Sequence, residues 1–174
     1  MIVAIDFGIT NTDVALSNKS QYKFFSMPSK NANESFIDEI INLIEIDITE
    51  ISQIVVTGGK SNELNESFKG VNLTKISETD AIGYGTKEIY KIENEPFITL
   101  SCGTGTACIH HQDGQFSYIG GIAVGGGTIS GLSKAILDSS SLEEITDLAL
   151  KGNRKNIDLL IGDVVNEIGI LNSN

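Results

Sequence analysis

The stretches IVAIDFGITNTDVAL (residues 2–16) and FITLSCGTGTACIHH (residues 97–111) share one layout. In each, an apolar run reads as a buried strand and ends on a polar residue, Asp6 or Ser101. Two positions later comes a glycine, Gly8 or Gly103, then a Thr/Asn-rich turn and a returning strand. The two copies lie 95 positions apart, a separation longer than a solenoid period, so duplicated lobes are expected.

Outward from the first copy, strands are expected at residues 2–5, 14–17 and 21–26. A helix follows over 34–46: Phe36, Ile37, Ile40, Ile41, Leu43 and Ile44 recur at helical spacing behind a possible Asn33 cap. The β-branched run 53–57 ends in Gly58-Gly59, a polar helix or loop comes next, then a strand at 73–76. Residues 78–92 read as a helix weakened by Gly83 and Gly85.

The second copy gives strands at 97–101, 107–111 and 116–119, with Asp113-Gly114 as a hairpin turn. Helices are expected at 128–137, 142–150 and 156–168. No later strand matches 53–57 or 73–76, so the second sheet reads as unfinished. The expectation is an α/β protein with a first lobe over 1–94 and an incomplete second lobe over 95–174.

Composition limits the chemistry. The 174 residues, 40% hydrophobic, fit one ordinary domain or two small lobes. A net charge of −11 repels nucleic acid and anionic membrane surfaces, so neither is an expected partner. Any bound phosphate must then be held by backbone N–H groups and a metal ion. Cys102 and Cys108 are expected to be reduced. The chain opens on a strand without a basic leader and has no apolar run of spanning length, which predicts a soluble cytoplasmic protein.

Asp6-Phe7-Gly8-Ile9-Thr10-Asn11-Thr12 places a carboxylate at the end of a buried strand, directly before a glycine turn. The turn offers free N–H groups, and Thr10 and Thr12 offer hydroxyls, to a phosphate. Asp6 suits Mg²⁺ held through water. Taken alone, the same residues describe a hairpin turn with a capping Asp. The turn Gly103-Thr104-Gly105-Thr106 repeats the device. Gly126-Gly127-Thr128 opens a helix, a third place for an anion. Three such features around a duplicated hairpin favour the phosphate reading. His110-His111 read as strand-end histidines, Cys102 as a small packing residue, and Glu143, Glu144 and Asp147 as a solvated helix face.

The hairpins resemble the two phosphate loops of the actin-like, sugar-kinase superfamily. Closer still, residues 98–111, 119–137 and 141–164 are similar to type II pantothenate kinases, with VVTGGK (55–60) and ISETDAIGYG (76–85) in order between the loops. The resemblance implies a ribonuclease-H-like (actin-like ATPase) fold. It also implies transfer of the γ-phosphate of ATP, with Mg²⁺, to the primary hydroxyl of pantothenate, the first step toward coenzyme A. Glu78, in Glu78-Thr79-Asp80-Ala81, takes the place of the family's catalytic base, with Thr104, Thr106 and Tyr118 at the substrate. A homodimer, or a partner segment completing the second lobe, is expected.

Two positions depart from the family pattern. Asp13 stands where the family usually has a phosphate-facing Lys, and Tyr118 where it usually has an Arg. The family's later segment, including the adenine-side wall, has no counterpart here. These departures keep two alternatives open: a noncatalytic nucleotide-binding actin-like protein, or a kinase for another small alcohol.

Overall fold

The computed structural model describes residues 1–18, 21–139, 141–158 and 160. Its first sheet has six strands in the order β3-β2-β1-β4-β6-β5. These are β1 (Ile2–Phe7), β2 (Asn11–Asn18), β3 (Gln21–Pro28), β4 (Gln53–Thr57), β5 (Ser67–Phe68) and β6 (Val71–Lys75). β1, β2 and β3 form an antiparallel meander, whereas β4 and β6 run parallel to β1. The short β5, absent from the sequence reading, pairs antiparallel with β6 across the turn at Lys69 (φ 47) and Gly70 (φ 84).

Register explains which side of this sheet is the core. Val3 faces Leu16 and Ile54, and Ile5 faces Val14 and Val56, so the odd-numbered β1 residues share one face with their apolar neighbours. Helix α1 (Glu34–Leu43) covers that face with Phe36, Ile37, Ile40 and Ile41, all buried. Asn33 caps it, its side chain accepting from the Phe36 N–H at 2.9 Å. The helix ends before the expected residue 46 because the backbone turns left-handed at Glu45 (φ 54), although Ile44 stays in the core.

The second sheet is the antiparallel meander β7 (Phe97–Cys102), β8 (Thr106–Gln112) and β9 (Gln115–Ile122). Asp113 (φ 52) and Gly114 (φ 76) both take positive φ in the β8–β9 turn, the two-residue geometry that Asp-Gly favours. Cys102 and Cys108 sit on the neighbouring strands β7 and β8 as free thiols.

Helix α2 (Glu78–Tyr90) joins the two sheets. Ser77 caps it, accepting from the Asp80 N–H and donating to the Asp80 carboxylate at 2.7 Å. It ends at the left-handed Lys91 (φ 54), two residues short of the expected 92. One face of α2 lies on the second sheet. The Tyr84 ring meets Phe116 edge-on at 4.8 Å, and the Thr99 hydroxyl donates to Thr86 at 3.1 Å. Gly83 is what allows this approach, because a Cβ there would fall 2.2 Å from the Phe116 ring. Phe97, His111 and Phe116 complete the cluster, His111 stacking on Phe97 at 4.7 Å.

The chain divides into two compact units, Met1–Gly125 and a second that begins at Gly126. The second unit contains α3 (Gly126–Leu137) and α4 (Leu142–Lys151), the latter capped by Ser141. Of the helix expected at 156–168, Arg154–Asn156 closes a single 3₁₀ turn, and residues 161–168 lie outside the described residues. Among the described residues no helix is long and apolar enough to cross a membrane.

Candidate phosphate-binding site

Both expected glycine turns lie in the first unit, and they meet. The Thr10 and Thr104 hydroxyls are hydrogen-bonded at 2.9 Å, joining loops 94 residues apart in sequence. Each loop is also braced by residues just beyond the third strand of its meander.

In the first loop the chain turns so tightly at Gly8 that a Cβ there would lie 2.5 Å from the Asn11 carbonyl oxygen. Ser29, following β3, holds this turn. Its hydroxyl donates to the Gly8 carbonyl at 2.5 Å and bonds Thr12 Oγ1 at 2.9 Å, while its N–H donates to the Thr10 carbonyl at 2.9 Å. Ile9, Thr10 and Asn11 are exposed at the tip. Thr12 is fully buried, so its hydroxyl is committed to Ser29 rather than turned toward the cleft.

In the second loop the Gly103 N–H donates to the Gly105 carbonyl at 2.8 Å. The Thr106 hydroxyl donates to the Val124 carbonyl at 2.8 Å. Gly125 lies flat on Gly105, where a Cβ on Gly125 would be 2.7 Å from the Gly105 backbone. Ser29 and Val124 are separated by the same 95 positions as Gly8 and Gly103. The duplication therefore extends to the braces, which differ in chemistry: a side-chain hydroxyl in one copy and a main-chain carbonyl in the other. Sequence reading missed both. The only available signal was the equal spacing, since Ser29 and Val124 are different residue types.

Three carboxylates gather at the first loop. Asp6 and Asp13 are directly paired across β1 and β2. Glu78, the first residue of α2, is exposed and close enough for its charge to act on Asp6. The Asp6 carboxyl is pushed above its ordinary range, first by partial desolvation and then by Glu78 and Asp13. Asp6 keeps solvent-accessible surface, so desolvation alone is a modest cause, but two like-charged neighbours push in the same direction.

A carboxylate crowded by like charge is suited to a divalent cation. Among the described residues no group of three or more His, Cys, Asp or Glu is placed to hold a metal by itself.

The even-numbered face of β1, opposite α1, borders a cavity of about 560 Å³. Ala4, Asp6, Asp13, Phe24, Val55 and Thr57 line it. Beside it the Thr57-Gly58-Gly59 turn presses on the first loop. Gly58 has φ +92, and a Cβ there would lie 2.4 Å from the Phe7 carbonyl oxygen. Tyr118, on β9, is exposed and extends its hydroxyl over Gly121. Gly126, Gly127 and Thr128 form the first turn of α3 in the second unit.

The family model of Fumble matches residues 84–170, half of the chain. A type II pantothenate kinase of Bacillus anthracis is 33% identical over 168 residues, covering 93% of this chain and 58% of that protein. One from Bacillus cereus ATCC 14579 is 34% identical over 166 residues, covering 93% and 59%. This chain thus spans less than two thirds of the curated relatives it matches. Among solved structures, the activator of 2-hydroxyisocaproyl-CoA dehydratase from Clostridium difficile, with bound ADPNP, superposes with a TM-score of 0.62. It is 16% identical and covers 87% of this chain and 57% of that one. A ROK family protein from Streptococcus pneumoniae gives a TM-score of 0.52 at 16% identity, covering 87% and 68%. The fold is that of the sugar kinases and actin-like ATPases, as the paired hairpins implied. By the family model that covers its second half, the chain belongs to the Fumble family.

Proposed function

We propose that this chain carries the phosphate-gripping part of an ATP-dependent kinase that phosphorylates pantothenate on the route to coenzyme A. The observation that carries the reading is the Thr10–Thr104 contact, which sets two repeat-related glycine loops against each other with Asp6 and Glu78 alongside. The type II pantothenate kinase relatives supply the substrate. The lobes are 1–94 and 95–174, and the protein works in the cytoplasm as a homodimer or with a segment that completes the second lobe.

The β- and γ-phosphates lie between the loops, on the N–H groups around Gly8, Ile9, Thr10, Asn11, Thr104 and Gly105, while Gly103, whose N–H is held by the Gly105 carbonyl, shapes the second turn. Thr12 acts through its backbone and through its bond to Ser29. Gly126, Gly127 and Thr128 offer a helix N-terminus to an anion. Asp6 would hold Mg²⁺, which neutralises charge on the phosphates when bound. Glu78 accepts the proton from the primary hydroxyl of pantothenate as its oxygen bonds the γ-phosphorus and the bond to ADP breaks. Thr104, Thr106 and Tyr118 position that hydroxyl.

A second reading rests on Asp13, whose carboxylate beside Asp6 repels phosphate where the family usually places Lys. It makes the chain a noncatalytic nucleotide binder, or a kinase for another small alcohol. Calorimetric titration of residues 1–174 with ATP, with and without Mg²⁺, tests the shared premise. Weak, Mg²⁺-dependent binding is expected, and tight binding without a divalent ion contradicts the role given to Asp6. Phosphate transfer to labelled pantothenate, in protein completed with the relatives' remaining segment, separates the two readings.

A further inference from the structure

The register of the first sheet sorts the face opposite α1 into two rows that cross β3, β2, β1 and β4. Phe24, Ala15, Ala4 and Val55 are directly paired in one row. Ser26, Asp13, Asp6 and Thr57 are paired in the next. Residues opposite each other share a face, and both rows line the cavity of about 560 Å³. The two alanines leave a trough between the larger Phe24 and Val55, and Ile76 and Ala81 extend its apolar wall. A volume of this size, with an apolar floor and a few polar groups at one end, suits a small molecule.

The charge at the polar end is one-sided. Asp6 and Asp13 line the cavity, and no basic residue does. None of the ion pairs among the described residues uses either carboxylate. Thr57 Oγ1 is buried there without a hydrogen-bond partner. A carboxylate-bearing molecule would meet two like charges, and a neutral one would leave them uncompensated. A cation relieves the repulsion that, after partial burial, helps push the Asp6 carboxyl above its ordinary range. A metal ion answers the charge but leaves the apolar row unused.

We propose that this trough binds a small organic amine, with its ammonium group on Asp13 and its hydrocarbon body along Ala15, Ala4 and Val55. The ammonium group brings N–H donors to an end of the cavity that offers carboxylate and hydroxyl oxygens. Asp6 is left to the metal ion of the proposed reaction. Phe24, exposed and stacked on Tyr22 at 6.3 Å, walls the trough on the β3 side.

Hexylammonium chloride, hexan-1-ol and sodium hexanoate share one hydrocarbon body and differ in the head group. Each is titrated into residues 1–174 without nucleotide, and binding is read from the NMR shifts of the Ala4 and Val55 methyl groups. Hexylammonium is expected to bind about tenfold more tightly than hexanoate, with hexanol between them. Asp13→Asn, at an exposed position, is expected to weaken hexylammonium by about threefold and to leave hexanol unchanged. Ala15→Leu, which fills the trough, is expected to abolish the shifts for all three probes. No nucleotide or phosphate transfer enters the measurement, so its failure and the failure of the kinase reading are separate results. Three outcomes overturn the proposal. One is hexanoate or hexanol binding as tightly as hexylammonium, which leaves an apolar groove without a counter-charge. Another is hexylammonium binding that is indifferent to Asp13→Asn. The third is the absence of shifts at Ala4 and Val55 up to the solubility limit of the probes.

Discussion

The first and second glycine loops share one layout, yet they are held and charged differently. The first is locked from below by a side chain: Ser29 ties Gly8 and the buried Thr12 together, and Gly58 closes on Phe7 from the neighbouring strand. The second is held by main chain, through Thr106 on the Val124 carbonyl and Gly125 stacked on Gly105. The first gathers Asp6, Asp13 and Glu78, whereas the second presents uncharged Ser, Cys, Thr and Gly. The two hairpins thus share a layout and differ in charge. One gathers carboxylates, to which the proposed function gives the acid–base and metal-facing roles, and the other is neutral.

The largest effect that can break this contrast is chemical. In protein completed with the relatives' remaining segment, Glu78→Gln is expected to lower turnover by roughly 10²–10⁴-fold, leaving ATP affinity nearly unchanged. Product formation from labelled pantothenate measures the first quantity and calorimetry the second. Full activity in the variant removes the charge-bearing role from the first loop's side.

The next effect concerns stability. Gly58→Ala forces a side chain into positive φ and against the Phe7 backbone, and is expected to cost about 1–3 kcal/mol in urea denaturation. Gly103→Ala in the second loop, where an added Cβ meets nothing within 4 Å, is expected to cost about 0.5 kcal/mol or less. Equal costs would show that the first loop is not the more tightly packed copy.

The braces give a smaller contrast. Ser29→Ala strands the Thr12 hydroxyl in the interior, at a cost of about 1–3 kcal/mol. Thr106→Val loses one bond at a partly open site, at about 0.5–1.5 kcal/mol. Urea midpoints of the two variants test the order, and its reversal would make the main-chain brace the stronger one.

The smallest effect is the pH dependence of the charged loop. The folded Asp6 carboxyl titrates above its unfolded value, so the folded state favours the protonated form. That advantage is present below the ordinary carboxylate range and is lost as pH rises through the elevated folded value. Asp13→Asn removes one of the two like charges, so the loss between pH 4 and pH 7 should shrink. Denaturation midpoints at both pH values, compared with the unsubstituted chain, give the sign. A larger loss in the variant contradicts repulsion between Asp6 and Asp13.

Much of this protein was readable without a structure, because much of it is local. Strand β4 occupies the residues its β-branched run predicted, the Asn33 side chain caps α1, and Asp113-Gly114 makes the turn its conformational preferences demand. The repeat at 95 positions and its glycine turns are written in the order of residues alone. Tertiary structure decided what depends on partners distant in sequence. It buried Thr12 instead of presenting it, since the β1–β2 register turns alternate residues toward α1. It gave Gly83 a packing role, because only the approach of α2 to Phe116 makes a missing Cβ an advantage. It brought Thr10 to Thr104 and set Glu78 and Asp13 to act on Asp6. Periodicity and capping are fixed by neighbours within a few residues, whereas contact, burial and electrostatic coupling are fixed only when distant segments share one interior.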